Sequence, residues 1–255
     1  ENFYLNKEYD KATKVLKNFD KKYEFYYWFR SKKEAQIIIK KNGYDEGIDF
    51  INSKFSKIDN PNIKIIFDIA NFYKNSKNYE KAIMYYSKII SLLSNNPEVK
   101  SDLLYRRGGS YERLGNYEKA DEDLLNSLKI NPDDAYVLNY LAYSWLERDY
   151  KIDEAMEMLK KAYDLRSNDP YITDSIGWAY YLIENYIEAE KYLKKAVELM
   201  PEDATVNDHY GDILWKLNRN MQARYFWNYV LSLDNADEEI KQKINIKILE
   251  GLKNS

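Results

Sequence analysis

The five residues Asn-Tyr-Glu-Lys-Ala stand at 78–82 and recur unchanged at 116–120. Looser copies follow, ending on Ala155, Ala189 and Ala223, and two precede, ending on Ala12 and Gly47. From Ala12 to Ala223 the steps are 35, 35, 38, 35, 34 and 34 residues. A unit of that length is one supersecondary element and cannot bury its apolar face alone, so neighbouring units must stack.

A second small residue stands twelve positions before these: Ala35, Ala70, Gly108, Gly177 and Gly211, with Ala142 thirteen before its partner. Around them runs the i, i+3, i+4, i+7 pattern of an amphipathic helix. Thr173, Ile176, Gly177 and Tyr180 are one instance, Leu104, Arg107, Gly108 and Tyr111 another. A glycine in mid-helix costs roughly 1 kcal/mol against alanine. Its place at the small slot implies that two helices of one repeat meet there. Together with Pro132 and Pro201 at the repeat ends, this resembles the tetratricopeptide repeat, W-x2-L-G-x2-Y, then A-x3-F, then P, over about 34 residues. The resemblance covers nearly the whole chain. It implies an all-α solenoid, a right-handed superhelix of helix-turn-helix repeats.

The expected organisation is a solenoid over 1–235 and a capping helix over 236–255. A half repeat, 1–24, precedes repeats starting near 28, 63, 101, 135, 170 and 204. Asp169 reads as an N-cap with Pro170 at the first helical position. The stretch 93–102 carries four extra residues, read as a flexible connection or a longer final helical turn. In the capping helix Ile240, Ile244, Ile248 and Leu249 form the expected apolar stripe, with Lys241, Lys243 and Lys247 outside it. The half repeat lacks a partner helix, and the chain opens at Glu1 without methionine or a signal-peptide pattern. Further repeats are therefore expected upstream.

In tetratricopeptide proteins the first helices line a concave groove. Carried over by repeat position, the groove face holds Tyr136, Asn139, Tyr143 and Leu146, then Tyr171, Asp174, Trp178 and Tyr181, then Thr205, Asp208, Asp212 and Trp215. Trp178 is thus expected to point away from its own repeat's core. The corresponding slots of earlier repeats are mixed and more basic, with Lys64, Lys74, Arg106 and Arg113 on or near them. Trp and Tyr are favoured interface anchors, although aromatics at helical spacing also serve packing. Asp208 and Asp212 stand at i, i+4 and repel unless a cation sits near. A basic residue of a partner would supply one; salt bridges to neighbouring helices are the other reading.

The chain has 39 Lys and Arg against 42 Asp and Glu, a net charge of −3, and no basic block. That argues against a nucleic-acid partner. No apolar run reaches the ~18 residues of a membrane span. With no cysteine and His209 as the single histidine, thiolate metal sites and the usual nucleophile–base pairs fall away. No catalytic residue, metal or cofactor is expected. A carboxylate enzyme acting on a glycan, using Asp174 with Asp208 or Asp212, stays as a lesser alternative.

Residues 135–231 carry the stricter strings "DSIGWAYYLIENYIEAEKYLKKA" and "NDHYGDILWKLNRNMQARYFW". These resemble the C-terminal repeat block of Gram-negative envelope tetratricopeptide adaptors. That group includes lipoproteins that bring substrates to a carboxy-terminal processing protease. The resemblance implies a bacterial envelope scaffold with such a protease as partner. The eukaryotic chaperone-tail clamp needs Lys and Asn at paired groove slots, which here hold Lys32 with Gln36 and Phe67 with Asn71. The leading expectation is a non-catalytic adaptor holding a protein or peptide segment, basic in character, in the groove. A self-associating scaffold is the alternative.

Overall fold

A computed structural model of the chain describes residues 2–17, 24–93, 96–234 and 236–252. Among the described residues run fifteen helices and no strand. They divide into two compact units, Glu1–Ser94 and Asn95–Ser255.

The N-terminal unit holds α1 (Asn2–Leu5), α2 (Tyr9–Lys17), α3 (Glu24–Asn42), α4 (Tyr44–Phe55), α5 (Ile63–Asn75) and α6 (Tyr79–Leu92). Helix α3 packs on α4 and α5 on α6 as hairpins, and α2 packs on α3. Trp28, Ile51, Ile65, Ile69, Tyr73, Tyr86 and Ile89 fill the core.

The C-terminal unit holds α7 (Pro97–Arg113), α8 (Tyr117–Ile130), α9 (Ala135–Leu146), α10 (Ile152–Leu165), α11 (Pro170–Leu182), α12 (Tyr186–Leu199), α13 (Ala204–Lys216), α14 (Asn220–Ser232) and α15 (Glu238–Glu250). Four hairpins, α7–α8 to α13–α14, stack in chain order. Each first helix also touches the next first helix, and α15 takes that place after α13.

The turns inside the hairpins share one backbone device. The amides of Asn78, Asn116, Tyr150, Asn185 and Arg219 each bond the carbonyl five residues back, at 2.9 Å. The preceding residues Lys77, Gly115, Asp149, Glu184 and Asn218 have φ of 50–72°. This is the Schellman ending, with a left-handed residue that satisfies orphan carbonyls. Asn78, Asn116 and Asn185 then cap the second helix through their side chains. Between repeats Asp134, Asp169 and Asp203 cap the next first helix. Asp169 and Pro170 play the parts read from sequence.

The small residues form the seam of each hairpin. Gly177 lies against Leu193, where a Cβ would stand 2.8 Å from Cγ of that leucine and 3.0 Å from its backbone nitrogen. Close approach of two helices, not a turn, is why glycine stands there.

Several expectations are corrected. The four extra residues before residue 101 do not lengthen the preceding helix: α6 has 14 residues, like α8, while α7 has 17 against 13 in α11. They form an added first turn of α7 that starts at Pro97 and is capped by Asn96. In α15, Leu249 is 81% exposed, whereas the Lys247 side chain is only 19% exposed. A helical face running through Ile240 and Ile244 continues to residue 247, so position outweighs charge. Leu146 is core rather than groove, packed with Val137, Leu141 and Ala155. The half-repeat boundary at 18–23, the connection at 94–95 and the last residues of the capping segment lie outside the described residues.

Candidate functional site

The twelve residues read as a groove face all lie on α9, α11 and α13, and the structure gives them different surroundings. On α9, Tyr136 is 45% exposed. Its hydroxyl donates to Asp169 at 3.2 Å, and Arg166 lies over its ring. Asn139 is half-buried, with a buried Oδ1 that no donor reaches. Tyr143 is half-buried and hydrogen-bonds Glu147. Burial, then the charges of Glu147 and Asp174, raise the Tyr143 phenol above its ordinary value.

On α11, Tyr171 is 54% exposed. Trp178 stacks with Tyr181 at 4.5 Å and with His209 of α13 at 4.1 Å. Its indole Nε1–H donates to Glu147 at 3.0 Å. Offset-parallel ring pairs at these separations are favourable. Trp178 therefore stands partly exposed but fixed on several sides.

The three aspartates are not open acids. Asp174 is buried and accepts from Nδ1 of buried His209 at 2.9 Å. Asp212 is buried and accepts from Nε1–H of Trp227 at 3.1 Å and from Lys247 at 2.9 Å. Asp208 accepts from the same ammonium at 2.6 Å. The cation that the i, i+4 pair requires comes from the chain's own α15, which is the second of the two readings, the salt bridge to a neighbouring helix. Burial and the neighbouring Asp208 push the Asp212 carboxyl up to about 6, against the pull of Lys247. Trp215 packs beside Trp227 at 5.4 Å, under Arg224, and against the backbone of Gly251, whose φ of 76° and lack of a side chain let it lie on the indole. Its ring serves the closing of α15 more than an open wall.

These contacts form a series. Tyr140 of α9 donates to Glu112 of α7 at 2.8 Å. Trp178 of α11 donates to Glu147 at the end of α9, His209 of α13 pairs with Asp174 of α11, and Lys247 of α15 pairs with Asp208 and Asp212 of α13. Each first helix of this unit is tied to the next by a polar bond on the same face. In the N-terminal unit Trp28 of α3 donates to Asp68 of α5 at 3.1 Å.

Glu112, Tyr140 and Glu147 escaped the sequence reading. Glu147 stands four residues after Tyr143, a spacing that could have extended the stripe, but Leu146 had filled the last slot of the register. Beside them a cleft of about 470 Å³ is lined by Tyr140, Tyr143, Glu112, Glu147 and neighbouring arginines. Among the described residues no group of three or more His, Cys, Asp or Glu has metal-binding geometry. No described helix is long and apolar enough to cross a membrane.

Comparison with known proteins agrees with this architecture. Models of the tetratricopeptide repeat match residues 63–96, 101–134 and 175–203. A TPR repeat-containing protein of Pseudomonas aeruginosa is 29% identical over 160 residues, covering 63% of this chain and 26% of that protein. A protein of Haemophilus influenzae named as a homolog of lipoprotein NlpI is 30% identical over 113 residues, 44% of this chain and 35% of its own. The chain thus spans 26% and 35% of the length of these two curated relatives. A thermophilic TPR protein of Thermus thermophilus superposes with a TM-score of 0.64 at 16% identity, covering 74% of this chain and 100% of that one. A tetratricopeptide repeat protein from Parabacteroides merdae superposes with a TM-score of 0.63 at 16% identity, covering 88% of each. These two structures share the chain's all-α solenoid of helical hairpins.

Proposed function

We propose that the C-terminal unit, whose hairpins match tetratricopeptide-repeat models over 101–134 and 175–203, is a non-catalytic adaptor surface for a protein segment, since such repeats generally mediate protein–protein interaction. The segment lies along α9, α11 and α13. The observation that carries this reading is the run of partly exposed aromatics on one set of first helices: Tyr136, Tyr143, Tyr171, Trp178 and Tyr181. Neighbours already hold Tyr136, Tyr143, Trp178 and Tyr181, so little of their side-chain freedom remains to be lost on binding. Tyr171 and Tyr136 are the outermost contacts. Trp178 is an anchor whose stack is complete before a ligand arrives. Trp215, Asp174, Asp208 and Asp212 support this face from behind. The resemblance to envelope adaptors makes a carboxy-terminal processing protease the first partner to try, in the bacterial envelope.

The test is a pull-down with wild type and the Tyr136→Ala/Tyr171→Ala variant, both checked by circular dichroism. These two rings are exposed, so the variant should fold. A partner captured by wild type and lost by the variant supports the reading. Equal capture of every protein by both baits overturns it. Self-association is a second reading, favoured by Ile187, Met221 and Tyr225 on α12 and α14, exposed by 72%, 88% and 68%. Light scattering of wild type against Met221→Lys separates it: an oligomer that the charge dissolves assigns the second helices as the interface.

A further inference from the structure

We propose that a proton on His209 fastens the anchor Trp178, so that the aromatic face of the C-terminal unit binds its partner more tightly with that proton than without it. The inference rests on the adaptor reading and adds a pH dependence to that surface.

The geometry is a stack of three rings with an acid behind it. The Trp178 indole lies between Tyr181, at 4.5 Å and 9° between planes, and His209, at 4.1 Å and 15°. Trp178 and Tyr181 belong to α11, so His209 is the ring that α13 contributes. Its Nδ1 sits 2.9 Å from the nearer oxygen of Asp174, and both residues are buried. An Nδ1–H can donate to that carboxylate in either charge state of the ring. What the second proton adds is charge. An imidazolium lying on an indole face gains a cation–π attraction that a neutral imidazole lacks. It also turns the Asp174 contact into an ion pair. An anchor held in this way has less freedom to lose on binding.

The charges around the ring favour that proton. Asp174 faces it from α11, and Asp208 and Asp212 flank it on its own helix. Lys247 of α15 pairs with the last two. Around Trp178 stand Glu147 and its partner Tyr143 from α9. Beyond Tyr181 stands the phenol of Tyr186 from α12, at 5.9 Å. Helix α14 brings only the neutral N–H of Trp227 to Asp212. Three carboxylates thus share one cation when the imidazole is neutral and two when it is protonated. Burial alone would lower the ring's pKa, but Asp174, then Asp208 and Asp212, hold it above its ordinary value. Asp212, pushed up to about 6, takes its proton on further acidification. A state in which Trp178 leaves the stack binds the His209 proton less tightly, so loss of that proton favours this state in return. The hold is complete below the ordinary histidine value and is lost as pH rises through the folded one.

The indole N–H of Trp178 is bonded to Glu147, so it exchanges with water when the ring leaves its place. Its exchange rate by NMR, compared with that of N-acetyl-tryptophan amide at the same pH, gives a protection factor. Trp178→Phe assigns the signal. From about pH 6 to about pH 9 protection should fall by about two- to fivefold, with the midpoint of the His209 ring's own titration. Asp174→Asn keeps an acceptor for Nδ1–H and should carry both midpoints down together. His209→Gln should leave protection level across the window. Level protection in wild type, a midpoint apart from that of the imidazole, or a fall that persists in His209→Gln each overturns the proposal. A partner lost by Tyr136→Ala/Tyr171→Ala should be held more weakly at the upper end of the window. Equal capture of that partner at both ends overturns the regulation and leaves the adaptor surface standing. A partner retained by Tyr136→Ala/Tyr171→Ala overturns the surface itself.

Discussion

His209 of α13 and Asp174 of α11 are both buried, and the imidazole Nδ1 lies 2.9 and 3.0 Å from the two carboxylate oxygens. Burial alone would lower the pKa of the ring. The charge and hydrogen bond of Asp174, with Asp208 and Asp212 beyond, outweigh burial and hold it above the ordinary 6.5. As the single histidine of the chain, its proton NMR titration needs no assignment. The midpoint should lie above 6.5 and fall in Asp174→Asn. A folded pKa above the unfolded one means stabilisation that is full below about 6.5. It is lost as pH rises through the folded value. Urea midpoints should therefore fall across that window in wild type and less so in His209→Gln. A midpoint at or below 6.5 would remove the ion pair from the account.

Lys247 bridges Asp208, at 2.6 Å, and Asp212, at 2.9 Å, with its ammonium. Replacing it with methionine leaves two acids facing each other, one of them buried. Removing one partner of a buried pair costs several kcal/mol. With some solvent at Lys247, a loss of about 2 kcal/mol is expected by chemical denaturation. Adding Asp212→Asn should recover part of it. An unchanged midpoint in Lys247→Met would show that solvent, not Lys247, balances the acids.

Gly177→Ala places a methyl 2.8 Å from Leu193 Cγ and 3.0 Å from the backbone nitrogen of that residue. The leucine can turn, but the backbone cannot. Overpacking of this kind costs roughly 1–3 kcal/mol, outweighing the gain in helix propensity. Thermal melts should show a lower Tm, and Leu193→Ala in the same chain should relieve only the side-chain part. Higher stability for Gly177→Ala would mean the hairpin seam is looser than its geometry.

Glu184 sits at φ 60° in the turn between α11 and α12, where Gly115 serves the corresponding turn of α7 and α8. The left-handed region costs a non-glycine residue roughly 1–2 kcal/mol, partly offset by the chain entropy glycine loses on folding. Glu184→Gly should stabilise by about 0.5 kcal/mol, and Gly115→Ala should destabilise by about 1 kcal/mol. Opposite signs in equilibrium unfolding would contradict the turn assignment.

The hairpins were legible because a period near 34 and a small residue at each seam leave few other folds. Gly177 announced its close contact twelve positions before Ala189. The polar pairing on the first-helix face was not legible. Lys247 meets Asp212 across 35 residues, and nothing local marks it as an inward lysine except its place on the Ile240–Ile244 face. Glu147 was not legible because Leu146, a core residue, held the last slot of the repeat register. The partners of Trp178, His209 and Glu147, come from neighbouring repeats, which a reading of one repeat at a time does not reach.

The ties from α7 to α15 bear on how this unit can bend. Each joins neighbouring first helices through directional hydrogen bonds. Such bonds weaken steeply when stretched or turned. The hairpin seams are mostly apolar, and contacts of that kind have no preferred direction, but polar bonds cross them too, Arg107 to Asp123 and Trp227 to Asp212. Flexing that spreads the first helices must break a bond at every step. The unit is thus expected to be stiff against splaying of its first-helix face: a ruler with one inextensible edge, which presents its aromatics at nearly constant spacing to whatever lies along them.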